Sequence, residues 1–322
     1  MVSYDPIPLE KIEAAQERIS NDVVRTPLVR FNVDDASAEI YLKLESLQPI
    51  RAFKIRAASN AMRLMDQKLL ENGVWTVSAG NWAQGLAWTA KKLGVTCTIV
   101  LPSHVPQTKL EKILRLGAEV IKVSADKFFE IFVTRTHEGV EGTFVHPFSD
   151  PEVIAGNGTI GLEIVEDLPD VDTVLVPWGG GGLICGIASA IRAIKPDVKL
   201  YACEIETGAP LAASYKSGKA VSDADYVHSF VDGISAPLVL PEMFDLAKTL
   251  IDGTLVVSLE ETAEAIRLLV ERNCVVAEGA GAVSVAAALS GRAGTGKVVC
   301  IVSGGNIDPS ILVQILNGKV PS

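Results

Sequence analysis

Four short segments hold residue types that chemistry can use. Trp178-Gly179-Gly180-Gly181-Gly182-Leu183 follows the apolar run Thr173 to Val176 and precedes a helical pattern, ICGIASAIRAI. Glycines at a strand-to-helix turn let backbone N–H groups close around an anion at a helix N-terminus, which suits a phosphate. An ordinary tight turn has little use for four in succession. Lys54 stands between Phe53 and Ile55, with Arg51 and Arg56 close by. An amine among apolar neighbours and positive charge has its pKa lowered, which favours Schiff-base chemistry with a carbonyl cofactor. A solvated surface lysine is the ordinary alternative. Ser78-Ala79-Gly80-Asn81-Trp82 and Ser303-Gly304-Gly305-Asn306 each follow a strand-like run and combine small residues with donors. Either alone is ordinary turn chemistry. Together with the lysine and the glycine loop they outline an anion and cofactor site.

Other motifs point elsewhere and are weaker. Glu204 lies about twenty residues beyond the glycine run, where a dinucleotide fold keeps its ribose-binding acid. No register of the glycines satisfies G-x-G-x-x-G, so a nicotinamide-dependent dehydrogenase is the alternative from another class. Gly291 to Lys297, GRAGTGK, matches the start of a P-loop, but Val298 replaces the Ser or Thr that would hold magnesium and a strand follows. It reads as a surface turn. The four histidines have no metal-ligand spacing. The five cysteines form no C-x-x-C and read as buried, reduced thiols of a cytoplasmic protein.

The elements that must position these segments alternate. Residues 97–101, 119–123, 173–176, 199–203 and 298–302 are short apolar runs of buried parallel strands, and 83–93, 107–116 and 259–272 carry helical spacing. The fold class is therefore α/β. At 322 residues with 48% hydrophobic content, the chain has material for about two lobes. A net charge of −10 without runs of like charge argues against nucleic acid or an anionic membrane as partner. Residues 173–191 carry no charge, but Pro177 and the four glycines argue against a membrane-spanning helix. The N-terminus has no signal-peptide pattern, so secretion by a signal peptide is not expected.

At these residues the sequence resembles the fold-type II pyridoxal phosphate enzymes, specifically the serine/threonine dehydratase and serine racemase group. The similarity runs in order through Arg25 to Leu28, Leu44 to Arg56, Ser78 to Gly85, His146 to Phe148, Ile154 to Ile164, Gly179 to Leu183, Ala277 to Ala282 and Ser303 to Asn306. It implies a fold like that of the tryptophan synthase β chain, with two lobes, each a largely parallel sheet flanked by helices. Residues 1–66 and 147–322 would form the large cofactor-binding domain and 67–146 a small substrate-gating domain. It implies Lys54 as the Schiff-base lysine and catalytic base, with Phe53 and Glu278 beside the cofactor. Gly179, Gly180, Gly181 and Gly182 with the Leu183 amide would hold the phosphate, Asn81 the ring hydroxyl and Ser303 the pyridine nitrogen. The turn Ser78, Ala79, Gly80, Asn81, Trp82 would clamp the substrate carboxylate. A homodimer and an amino-acid substrate follow from the same resemblance.

Departures from the family pattern refine the expectation of a 2-amino-3-hydroxy acid dehydratase releasing a 2-oxo acid and ammonia. Ala79 stands where serine racemases carry a second proton donor, which disfavours racemisation. Trp82 replaces the usual histidine, and Ile50-Arg51-Ala52 the usual Thr-Gly-Ser. An aromatic wall at Trp82 would suit a bulky β-substituent such as that of phenylserine, while Arg51 would suit the second carboxylate of 3-hydroxyaspartate. Trp82 as plain core filler stands equally beside the first of these. Glu204 matches a family cation ligand, but Pro210 replaces its acidic partner, so a divalent ion is doubtful and a monovalent one stays open.

Overall fold

The computed structural model describes residues 5–34, 36–222, 226–234 and 237–321. Among them run ten strands: β1 (Leu28–Arg30), β2 (Glu39–Lys43), β3 (Val74–Val77), β4 (Cys97–Pro102), β5 (Glu119–Val123), β6 (Thr143–Phe144), β7 (Thr173–Pro177), β8 (Lys199–Ile205), β9 (Gly253–Val257) and β10 (Lys297–Ile301). The helices are α1 (Leu9–Ile19), α2 (Lys54–Leu64), α3 (Gln67–Glu71), α4 (Asn81–Leu93), α5 (Gln107–Arg115), α6 (Ala125–Thr134), α7 (Pro151–Asp167), α8 (Gly182–Ile194), α9 (Pro210–Ser217), α10 (Pro241–Leu250), α11 (Leu259–Asn273), α12 (Gly279–Leu289) and α13 (Pro309–Leu316).

Six strands form one sheet in the order β1-β2-β10-β7-β8-β9, and four form another in the order β5-β4-β3-β6. Within each the pairing is parallel except between β1 and β2. The apolar runs follow from burial on both faces. In β7 and β10, Val174, Val176, Val299 and Ile301 face the core under α7, α8 and α10. Leu175, Val298 and Cys300 face the opposite core under α11 and α12. A strand sandwiched this way reads as continuous hydrophobic sequence, because successive side chains enter different cores. The second sheet packs Val74, Ile99 and Leu101 against α2, α4 and α5, and Trp75, Val77 and Val100 against α6.

Connections at the strand ends are tight where the helices must start. The Gly291–Lys297 turn is largely exposed and runs straight into β10. No helix among the described residues is long and apolar enough to cross a membrane. Four cysteines are buried, but Cys274 is exposed, because it takes the left-handed position (φ 54°) that ends α11. That corrects the reading of all five as core thiols.

Beneath α2 lies a buried charge network. Arg56 pairs with Glu45 through Nε at 2.9 Å and with Glu163 through Nη1 at 2.7 Å, and Lys43 Nζ meets Glu163 at 2.6 Å. Burial alone would lower the Arg56 pKa, but Glu45 and Glu163 push it up instead. Two cations against two carboxylates close the network without leaving a net buried charge. It ties α2 to β2, α7 and the turn at Glu45, and so fixes the helix that begins with Lys54.

Candidate active site

Three strand ends and one helix start converge on a cavity of about 400 Å³. After β10 the chain passes through Ser303 and Gly304, which bind back to the segment before α2. Phe53 N donates to Ser303 O at 3.0 Å, Gly305 N to Arg51 O at 2.9 Å, and Ala52 bridges Gly304. Lys54, the first residue of α2, is therefore held next to Ser303. After β3 the Ser78–Gly80 turn leads into α4 at Asn81, and α4 approaches so closely that a Cβ on Gly85 would lie 3.1 Å from Lys54 O.

After β7 the Trp178–Gly181 loop leads into α8, which has no side-chain cap. Its first-turn amides are left for an anion. The glycines also answer to packing. A Cβ on Gly180 would sit 2.3 Å from Phe148 Cγ, and one on Gly182 2.7 Å from Phe148 O. Gly181 has φ +88° and lies over the Trp178 ring. Gly179 meets only ordinary contacts. Asn157 Nδ2 holds the Gly182 carbonyl at 3.0 Å.

Electrostatics separate two groups in the cavity. Burial pulls the Lys54 amine down to about 8. Its Nζ donates to Pro147 O at 2.9 Å and lies 5.1 and 5.5 Å from the ring centroids of Phe53 and Trp82. Burial raises the Glu278 carboxyl to about 7, with the nearby charge of Asp232 adding to it and a hydrogen bond from Asn81 opposing it. That bond runs from Asn81 Nδ2 to Glu278 Oε1 at 2.6 Å, and Asn306 Nδ2 in turn donates to Asn81 Oδ1 at 2.9 Å.

Of the residues singled out from sequence, Phe53, Lys54, Ser78, Ala79, Gly80, Asn81, Trp82, Gly179 to Leu183, Glu278 and Ser303 all line this cavity. Arg51 does not. It is exposed, in a left-handed conformation (φ 60°), with its own carbonyl accepting from Gly305 N and Ala52 beside it bridging Gly304. Glu204 does not line it either. Its carboxylate accepts from the amides of Leu211 and Ala212, each at 2.8 Å, and so caps α9. Among the described residues no cluster of metal-ligating side chains forms around it. Trp82 is 2% exposed and its Nε1 donates to Thr76 Oγ1 at 2.9 Å, so it is built into the core while its ring lines the cavity beside Lys54.

The cavity adds residues that sequence reasoning missed. Phe128, Phe129 and Phe132 of α6 line it, with Lys109, Lys112 and Asp232. The spacing FFEIF on a helix was the available signal. Lys109 is ion-paired to Asp232, and Lys112 Nζ reaches Asn306 Oδ1 at 3.3 Å. As a donor set, the cavity suits a phosphorylated aldehyde. It offers an amine of lowered pKa, glycine-loop amides at a helix N-terminus, a buried hydroxyl at Ser303 and a carboxamide at Asn81.

Comparison with known proteins agrees with that donor set. A family described as pyridoxal-phosphate dependent enzyme matches residues 19–304. The L-threonine ammonia-lyase of Thermotoga maritima is 44% identical over 316 residues, covering 97% of this chain and 78% of its own. The catabolic L-threonine dehydratase of Escherichia coli K12 is 37% identical over 324 residues, covering 98% of each. The solved structure of maize serine racemase matches with a TM-score of 0.89 at 32% identity, covering 97% of this chain and 98% of its own.

Proposed function

The chain belongs to the pyridoxal-phosphate dependent enzymes, and from that premise we propose that it is an ammonia-lyase converting a 2-amino-3-hydroxy acid with a bulky apolar β-substituent, such as phenylserine, to a 2-oxo acid and ammonia. Its cofactor is pyridoxal 5'-phosphate. The observation that carries the reading is the Lys54 amine, buried with its Nζ on Pro147 O in a cavity that the uncapped N-terminus of α8 also lines. The relatives that share nearly the whole chain are named as threonine ammonia-lyases and dehydratases, which supports the same elimination here.

Bound pyridoxal phosphate draws electron density away from the α-carbon of the amino acid joined to it. The protein's own residues do the rest. Glycine-loop and first-turn α8 amides would hold the phosphate, Asn81 and Ser303 would flank the ring, and the Ser78–Gly80 turn with the first amides of α4 would receive the substrate carboxylate. Lys54 Nζ would take the α-proton as general base. Loss of the β-hydroxyl and addition of water then give the 2-oxo acid and ammonia. Ala79 brings no proton donor to the opposite face, which favours elimination over racemisation. Residues 67–146 act in this reading as the gating unit over residues 1–66 and 147–322. The polar contacts of α5 with Asp232 and Asn306 across the cavity support that division. A cytoplasmic homodimer is proposed on the resemblance alone.

Substrate choice rests on the aromatic wall. Phe128, Phe129 and Phe132 of α6 line the cavity with Phe148, and the rings of Phe132 and Phe148 lie 5.8 Å apart at 38°. Phe129 stays 48% exposed, an apolar surface that a substrate ring would cover. Trp82 shares the wall, but its N–H is committed to Thr76. For the second carboxylate of 3-hydroxyaspartate, Arg51 lies outside the lining and Lys109 is paired with Asp232, which leaves Lys112, whose Nζ reaches Asn306 Oδ1, as the cation at the cavity.

The test is 2-oxo acid release from the cofactor-loaded protein over L-serine, L-threonine, phenylserine and 3-hydroxyaspartate. Phenylserine should have the highest kcat/KM, and Phe129→Ala with Phe132→Ala should lower it roughly 10-fold while serine changes by about 2-fold or less. A preference for serine or threonine removes the aromatic reading; no release from any substrate removes the lyase.

A further inference from the structure

His146 follows β6 and is 5% exposed. Its Nδ1 accepts from the amides of Phe148 at 3.3 Å and Ser149 at 3.0 Å. Two amide donors on one ring nitrogen settle the tautomer, with Nδ1 bare and the proton on Nε2. Burial, with the positive charges of Arg135 and Lys54, pushes the imidazole down to about 3, so the ring is neutral at any working pH. The segment 146–149 is thus wound into the kind of turn that an asparagine or aspartate side chain makes on the amides following it.

Both products of that turn reach the cavity. At its centre the Pro147 carbonyl accepts from Lys54 Nζ at 2.9 Å. At its end the Phe148 ring fills the space over Gly180 that a Cβ would need. The His146 and Phe148 rings also meet edge to face, with centroids 4.8 Å apart. The lysine stem has four rotatable bonds, so burial alone does not aim its amine. A neutral acceptor is the suitable choice at position 146. A carboxylate there would cap the turn equally well but would raise the pKa of the nearby Lys54 amine and reduce its neutral fraction.

We propose that His146 is a positioning residue for Lys54: its imidazole winds the 146–149 turn that sets the Pro147 carbonyl on the lysine amine and the Phe148 ring on the glycine loop. His146 acts through those two groups and takes no part in the chemistry. The inference rests on Lys54 as the reacting amine. Its consequence is kinetic, since misplacing a reacting group by about 1 Å costs on the order of 100-fold in rate.

The test compares His146→Leu, His146→Gln and His146→Asn in the full chain. Asparagine restores an acceptor at the position of Nδ1, whereas glutamine is polar but one methylene too long, and leucine has no acceptor. The first readout is the rate at which the cofactor-free protein, given saturating pyridoxal phosphate, forms its covalent link. Lys54 Nζ bonds there to the aldehyde carbon with release of one water, and visible absorbance follows it. The second is the primary isotope effect on kcat with α-deuterated phenylserine or serine. His146→Leu and His146→Gln should slow the link by roughly 10- to 100-fold and enlarge the isotope effect, with KM within about 2-fold. His146→Asn should stay within about 3-fold of the parent in both. If leucine prevents folding, glutamine supplies the same contrast. Parent-like rates for leucine and glutamine, or an asparagine variant as slow as they are, would overturn the positioning role. Borohydride trapping followed by peptide mass separates the two layers. A label on another lysine removes the reading of Lys54 itself, while a label on Lys54 with unaltered rates removes only His146.

Discussion

Glu278 offers a direct measure of how far the cavity is shielded from water. Its carboxyl is buried, held by Asn81 and raised from 4.5 to about 7, mainly by desolvation and then by Asp232. A carboxyl whose folded pKa exceeds its unfolded one binds more protons in the native state. Stability is then lost as pH rises from the unfolded value through the folded one. The full gap corresponds to about 3 kcal/mol above pH 8, and to about 1 kcal/mol at pH 5.5, where the folded group is still protonated. Glu278→Gln keeps an oxygen for Asn81 Nδ2 and removes the ionisation. The cofactor-free variant should therefore be more stable than the parent by about 3 kcal/mol at pH 8.5, roughly 5 °C in melting temperature for a chain of this size. The gain should shrink to about 1 kcal/mol at pH 5.5. Calorimetric melts at the two pH values provide the assay. A gain that does not change with pH, or a variant less stable at pH 8.5, would mean that the carboxylate is solvated or paired in the folded chain, and the argument from burial would fail. A group that costs this much at alkaline pH and is still present next to Asn81 and Gly304 belongs with the site rather than with stability.

Two further outcomes follow from geometry. Gly180→Ala would place a Cβ 2.3 Å from Phe148 Cγ, so that ring or the loop must move. Equilibrium dialysis should show weaker cofactor retention by at least about 10-fold, with the helical circular dichroism unchanged. Arg56→Met would leave Glu45 and Glu163 facing Lys43 alone. Denaturant melts should show a loss of about 3 to 5 kcal/mol, the cost of stranding a buried carboxylate, and a change under about 1 kcal/mol would show that water enters the network.

Much of this organisation could be read from the residues in order. The strand at 298–302, the glycine run after Thr173–Val176 and the small-residue turn after β3 were visible as alternations of apolar runs and breakers. Parallel strands buried on two faces leave no other pattern, and their carboxyl ends are where a ligand finds free helix amides. The α6 phenylalanines carried a signal too, but helical spacing tells only that they share a side of the helix. Whether that side meets a core or a cavity depends on what packs opposite, and here α6 does both. Ile131 is buried against the sheet while Phe129 stays 48% exposed at the cavity.

Arg51 stands three residues before Lys54 and still lies outside the cavity lining. Its backbone sits at φ 60° where residues 51–53 pair with 303–305, and its side chain is exposed. Glu204 sits where a ligand acid could sit, and the start of α9 takes both its oxygens. Trp82 faces two ways at once, because Thr76 on the adjoining strand engages its N–H while its ring borders the lysine. His146 entered the sequence reading only within the stretch His146 to Phe148; its partners are amides two and three residues on, but the Pro147 carbonyl of that turn meets Lys54, 93 residues away. Sequence by itself determined the conformations that short-range sterics and burial period decide: strands, helix starts and the glycine loop. Only the tertiary structure decided which side chains turn inward. That direction is set by contacts between segments far apart in the chain, and spacing along the chain does not encode it.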